Sequence, residues 1–389
     1  MKTPHRIHPP AALSLLALCS MAAAQSSVEF VGIADIGLDY ANNQGGKANR
    51  YVRSGNVSGS RFAFRGSEDL GGGSRAIFLL ENGYSLDTGE LSTANTLFSR
   101  QAYAGLSDKQ AGTLTAGRQY TPYYWFVGGI SAPMMMGGSF GARPGDIDGL
   151  DQALRVNNSL SYTSPSWSGV QLGLMAGAGE TAGSTARGGA WSAAVKFQHA
   201  SWQFALAQQM LKNGASRTGW DTQAAASFNK SAVNNGYLSA AAIRYTAAAV
   251  QYEHAGLLVG STVSSVAYRP DQQSLFTDTA IFNGADLHLS YALHGPVVLG
   301  GSYNYTRENR ANGIGEPANY RQLSLSQTYA LSKRTRLYLL EGVQWARGNT
   351  LNAAGRPVAA VAGIGDAQTS TPSSGGQQIM LSLGMRHTF

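Results

Sequence analysis

V-E-F-V-G-I-A-D-I-G-L-D-Y, residues 28–40, alternates at period two. Val28, Phe30, Gly32, Ala34, Ile36, Leu38 and Tyr40 fall on one side of an extended chain, and Glu29, Asp35, Gly37 and Asp39 on the other. One face is apolar and the other can be wetted. The pattern returns at 190–199, where Trp191, Ala193, Val195 and Phe197 oppose Ser192, Ala194, Lys196 and Gln198. It closes the chain as well: Ile379, Leu381, Leu383, Met385, His387 and Phe389 oppose Met380, Ser382, Gly384 and Arg386. Such segments approach the 9 to 11 or so residues that a tilted strand needs to cross a membrane.

Marking them along the chain predicts sixteen strands, at 28–40, 59–67, 74–84, 98–107, 112–119, 157–164, 169–177, 190–199, 202–210, 236–245, 248–255, 281–293, 297–306, 319–330, 335–347 and 377–389. Connections alternate between short turns, such as 68–73, 108–111, 246–247 and 331–334, and longer loops rich in Gly, Ser, Asn and Ala. Outer-membrane barrels sort their loops this way, short toward the periplasm and long outside. The reading is a single all-β domain, a transmembrane antiparallel β-barrel of sixteen strands over residues 25–389, whose first and last strands pair and leave no open edge.

Composition agrees. Only 13% of the 389 residues are charged, against roughly 25% in an ordinary soluble domain. Residues 1–24 carry a basic start at Lys2 and Arg6, an apolar run from Ala11 to Leu18 and the small-residue end Ala22-Ala23-Ala24, the layout of a cleaved secretory signal peptide. The lone Cys19 lies inside it, so the mature chain is expected to hold no thiol, hence no disulfide or metal-thiolate site. Without Lys2 and Arg6 the 29 basic residues fall to 27, and with 22 acidic ones the net charge falls from +7 to about +5.

Strand number has a functional consequence. Eight strands are filled by their own side chains, whereas sixteen leave an aqueous channel. Arg61 and Arg65 flank Ala63 on one face of the second strand while Phe62 and Phe64 point the other way, and Arg75 and Glu81 share a face in the third. Charges set in this alternation are costly toward lipid and cheap toward water.

As a set, several motifs resemble the general, trimeric porins of Gram-negative outer membranes, of the β-proteobacterial type. They include S-S-V-E-F-V-G-I-A-D-I-G (26–37), G-S-R-F-A-F-R-G-S-E-D-L-G-G-G (59–73), L-E-N-G-Y (80–84), S-R-Q-A-Y-A-G-L-S (99–107), G-T-L-T-A-G-R-Q-Y-T-P (112–122), S-L-S-Y-T-S-P (159–165), L-S-K-R-T-R-L-Y (331–338) and L-G-M-R-H-T-F (383–389). The resemblance implies passive diffusion of small hydrophilic solutes and ions through a homotrimer, set in outer-membrane lipid and lipopolysaccharide. It implies a third external loop, here 120–156, folded into the lumen as a constriction. It also implies a wall of arginines facing acids: Arg61, Arg100 and Arg155, with Arg118 a further candidate, and Glu81 as an acidic wall position. Asp146, Asp148 and Asp151 supply the loop's acidic end. A positive constriction concentrates anions, so a weak anion preference is expected. Phe389, following alternate apolar positions, resembles the terminal signal by which the barrel assembly machinery recognises its clients.

Other chemistry is weakly indicated. Gly137-Gly138-Ser139-Phe140-Gly141 spells G-x-S-x-G, but no helical pattern follows to build a nucleophile elbow. His199, His254, His288, His294 and His387 are scattered without ligand spacing, so no metal or other cofactor is expected. The basic residues interleave with acids and do not outline a nucleic-acid groove. Asn82-Gly83, Asn213-Gly214, Asn235-Gly236, Asn283-Gly284 and Asn312-Gly313 read as turns. The competing readings are a substrate-specific channel on the same barrel, an outer-membrane barrel enzyme and a soluble secreted β protein.

Overall fold

A computed structural model of the chain describes residues 26–151, 154–180, 182–184, 187–214, 220, 226–227, 230–366 and 371–389. The leader expected at 1–24 lies outside them. In chain order the strands are β1 (Ser27–Gln44), β2 (Lys47–Ser54), β3 (Arg61–Gly71), β4 (Ser74–Gly83), β5 (Gln101–Asp108), β6 (Gly112–Gln119), β7 (Val156–Thr163), β8 (Val170–Gly177), β9 (Ala190–His199), β10 (Trp202–Lys212), β11 (Ala242–His254), β12 (Leu257–Arg269), β13 (Ala280–Ala292), β14 (Val297–Glu308), β15 (Asn319–Ala330), β16 (Thr335–Arg347), β17 (Asn349–Leu351), β18 (Pro357–Ala359) and β19 (Gln377–Thr388). Two short helices, α1 (Pro122–Phe126) and α2 (Ala132–Met136), lie between β6 and β7.

Each barrel strand pairs antiparallel with its neighbours, and β1 closes the sheet against β19, from Ile33 opposite Thr388 to Ala41 opposite Met380. The other edge of β1 is shared: Ile36–Gln44 pairs with β2 and Ser27–Ile33 with β3. β2 and β3 therefore fill one strand position, interrupted at 55–60, and the barrel has sixteen positions. β17 and β18 form a separate hairpin.

The side chains are sorted inside out relative to a soluble protein. Phe30, Leu38, Leu174, Leu206, Leu287, Leu323 and Leu383 stand exposed on the outer face. Asp35, Asp39, Gln209, Thr262, Asp286, Asn304, Gln322, Gln344 and Ser382 are buried on the inner one. An apolar exterior around a polar interior is stable only where the exterior meets lipid, and there a Lys or Arg at mid-depth would cost about 2–4 kcal/mol.

Several expectations are corrected. The runs 236–245 and 248–255 are not two strands: 242–254 is one continuous strand, β11, and β12 follows at 257–269. The turn sits at Ala255-Gly256, both at positive φ, 50° and 80°, and not at 246–247. β2 also went unmarked, because K-A-N-R-Y-V-R-S is largely polar on both faces. Asn283-Gly284 is no turn but lies inside β13.

Candidate pore constriction

Segment 120–156 is tied to the inner wall along its length. Thr121 caps α1, its hydroxyl accepting from Tyr124 N at 3.3 Å, with Pro122 at the first helical position. Tyr123 N donates to Ser192 Oγ of β9 at 3.0 Å, and the Tyr123 ring packs on Tyr245 of β11. Farther along, Gln322 Nε2 and Ser324 Oγ of β15 donate to Phe140 O at 2.7 and 2.5 Å. Ser139, the serine of the G-x-S-x-G run, donates through both its N and Oγ to Asn56 O at 3.2 Å, which makes it a docking residue on the 55–60 interruption.

The strongest tie is ionic. Arg143 pairs with Asp148 of the loop at 2.6 Å and with Asp286 of β13 at 3.0 Å, and donates to Thr262 O at 2.8 Å. Ser264 Oγ adds a 2.9 Å bond to Asp148, and Asp286 meets His288 Nδ1 at 2.8 Å. Burial works against the Arg143 charge, but the two carboxylates outweigh it and hold its pKa above the ordinary value. Asp148 is thus spent on bracing, and its carboxylate faces Arg143 instead of the lumen.

The arginine wall is partly assembled. Glu81 sits between Arg61, 3.2 Å away, and Arg100, 3.4 Å away, and also accepts from Gln101 Nε2 at 3.2 Å. Arg155 lies over the Tyr120 ring at 4.9 Å and donates to its hydroxyl at 2.8 Å, while Arg100 approaches the same ring at 5.9 Å. Strict alternation would have aimed Arg100 with Phe98 and Leu106. The strand starts only at Gln101, so Arg100 is the last loop residue and escapes that alternation, while Leu106 faces outward. Arg118 is a brace, donating to Ser99 O at 2.8 Å, to Ser227 Oγ at 2.6 Å and to Asn157 Oδ1.

Arg100 and Arg155 border a cavity of about 460 Å³ whose lining also includes Arg53, Asp151 and Asp366. Asp146 stays behind it, accepting the Asp151 N–H at 2.9 Å. Burial first, then the neighbouring Asp366 and Asp146, pushes the Asp151 carboxyl well above the usual range. Sequence reading missed Arg53, Arg143, Asp286 and Asp366. Arg53 pairs with Asp39 at 2.7 Å; its signal was there, since Asp39 had been placed on the wetted face. The others depend on contacts across the barrel.

A closed sheet with an apolar exterior and a charged interior defines an outer-membrane β-barrel. The chain matches the family model described as Gram-negative porin over residues 11–341, and it belongs to that family. It is 34% identical over 179 residues to an outer membrane porin protein of Bordetella pertussis, covering 42% of this chain and 46% of that protein. Over 171 residues it is 34% identical to outer membrane porin protein 32 of Delftia acidovorans, covering 42% and 47%. The alignments thus span just under half the length of these relatives. Among solved structures, the anion-selective porin from Comamonas acidovorans superposes with a TM-score of 0.69 at 20% identity, covering 94% of this chain and all of that one. Salmonella typhi OmpF, in complex with daunomycin, gives 0.62 at 14% identity, covering 93% and 97%. At such identities these two report the fold.

Proposed function

We propose that the barrel is a water-filled channel for passive diffusion of small hydrophilic solutes and ions, weakly preferring anions. The observation that carries this is the inner cavity in which Arg100 and Arg155 face the opening while Glu81 offsets Arg61 and Arg100 from behind. On the arginine wall Arg61, Arg100 and Arg155 set three positive charges against Glu81, and Asp151 and Asp366, which line the same cavity, offset part of that excess and keep the preference weak. Segment 120–156 narrows the lumen, braced by Arg143 and Arg118. Selection comes from width and field, and no covalent step is involved. The similarity to the anion-selective porin from Comamonas acidovorans supports the sign.

The same reading includes a leader at 1–24 removed on export, assembly signalled by Phe389, and a homotrimer whose outer contacts are with lipid and lipopolysaccharide. The test is single-channel conductance and zero-current potential of purified protein in a planar bilayer across a salt gradient. Large linear conductance with a potential of anion-selective sign supports the proposal. Saturable block by one solute would favour a substrate-specific channel, and a silent bilayer would sink the channel reading.

A further inference from the structure

By pattern, the connection from β16 to β19 is only a loop rich in Gly, Ser and Ala. In the structure its middle turns inward. After the β17–β18 hairpin, Ala362 and Ile364 are fully buried, and Ile364 joins Phe140 of the constriction segment and Leu340 of β16 in one apolar cluster. Gly363 N donates to Gln344 Oε1 at 2.7 Å, Gln344 Nε2 returns a 3.3 Å bond to Gly363 O, and Ile364 N donates to Gln378 Oε1 at 2.8 Å. Gln344 and Gln378 are cross-strand partners in β16 and β19, both fully buried. A primary amide carries a donor and an acceptor, so two such side chains can seat an extended backbone as a neighbouring strand would.

The seated segment also clasps the constriction loop, since Gly145 N donates to Gly365 O at 3.2 Å. The next residue, Asp366, lines the same cavity as Arg100, Arg155 and Asp151, and its carboxyl hydrogen-bonds that of Asp151. We propose that Asp366 is a specificity-determining residue of the pore, setting a carboxylate in the opening that holds Arg100 and Arg155. Paired with Asp151, it limits the anion preference that the arginines create. This rests on the channel reading above.

The test uses the full chain in planar bilayers, with Asp366→Cys and, for comparison, Glu316→Cys in another external loop. The sequence has one cysteine, Cys19, inside the expected leader, so treated wild-type channels serve as the blank. Open channels are recorded before and after a positively or a negatively charged methanethiosulfonate, with the adducts verified by mass. At position 366 the positive adduct is expected to raise the anion-to-cation permeability ratio roughly two- to threefold and the negative adduct to lower it. That is the Boltzmann factor for one charge several ångströms from the path in a water-filled opening. Position 316 should move little. Equal responses at the two positions, or none at 366, overturn the proposal. If Asp366→Cys yields no channels, Asp366→Asn in the Asp151→Asn background takes its place, so that the partner carboxyl cannot ionise in compensation: a shift toward anions relative to Asp151→Asn alone supports the assignment and an unchanged ratio removes it. Silence of the wild-type chain would refute the channel reading itself.

Discussion

Gly284 leaves, on the inner face of β13, the space that the Arg143 guanidinium occupies; a Cβ there would collide with Arg143 Nε. A glycine inside a strand sacrifices packing and conformational order, and close approach by another group is one physical reason to keep it. Here the approaching group crosses from the loop to reach Asp286, with all three charged side chains almost wholly buried.

Gly284→Ala is therefore expected to push Arg143 off its seat, and Arg143→Met to leave Asp148 and Asp286 buried without their cation. Removing one partner of such a pair costs about 3–5 kcal/mol. Thermal unfolding in detergent should fall for Arg143→Met, and open-channel current noise should rise for both variants as the loop loosens. A Gly284→Ala channel as quiet as the wild type would show that the seat tolerates a methyl and that the latch is elsewhere.

The wall arginines are not equivalent. Arg61 and Arg100 share Glu81, whereas Arg155 joins none of the ion pairs found among the described residues and borders the cavity directly. Arg155→Gln is expected to lower the anion-to-cation permeability ratio by roughly two- to threefold, one unit charge's worth in a hydrated opening. Arg61→Gln should lower it less, and Glu81→Gln should raise it. Reversal potentials in a salt gradient read all three. Equal effects of the Arg61 and Arg155 changes would mean that Glu81 does not screen its neighbour.

How far the sequence reaches follows from how local each signal is. Alternation in β1, β9 and β19 is carried by adjacent residues, so the barrel is readable without a partner strand, although the total of sixteen was reached by splitting β11 in two while β12 went unmarked. It fails in S-A-A-A-I-R-Y-T-A-A-A-V-Q-Y, 239–252, where alanine occupies both faces and gives no contrast. Ala247 and Ala249 are buried in the same apolar cluster as segment 120–156, which Tyr245 meets through Tyr123. Arg61 was legible for the same local reason, whereas Arg100 lies against the alternation and entered only through the family resemblance. Arg143, Asp286 and Asp366 were not legible, because each acquires its role from residues more than a hundred positions away.

Asp151 is expected to make selectivity depend on pH. Its carboxyl titrates above the ordinary value of about 3.9 because it is buried and faces Asp366 and Asp146. A raised folded-state value means that its contribution to stability is fully present below the unfolded value and is lost as pH rises through the folded one. The charge follows the same course: lowering the pH through the raised value removes a negative charge beside Arg100. Anion preference should therefore increase as the pH falls within that window, and Asp151→Asn should fix the preference at its acid level. A wild-type reversal potential that is flat across the same range would exclude Asp151 as the titrating group.

Phe389 and Gly32 meet in the seam that closes the barrel. Gly32 N donates to Phe389 O at 2.9 Å, and Phe389 N donates to Gly32 O at 3.1 Å. The Phe389 ring covers Gly32, where a Cβ would strike it, and packs on Phe30 at 5.6 Å. The backbone bonds survive any change of the last side chain, so Phe389→Ala should leave the closed sheet intact once it forms. If the ring also signals for assembly, the amount of folded barrel in the outer membrane should fall several-fold while the refolded variant stays close to wild type in thermal stability. Gly32→Val separates the two roles, since it keeps the terminal phenylalanine but displaces its ring, at a cost of about 1–3 kcal/mol for overpacking. That variant should assemble in near-normal amounts and unfold at a lower temperature. The reverse pattern, normal export of Phe389→Ala with poor stability, would make Phe389 a structural plug of the seam and leave the assembly signal to the strand before it.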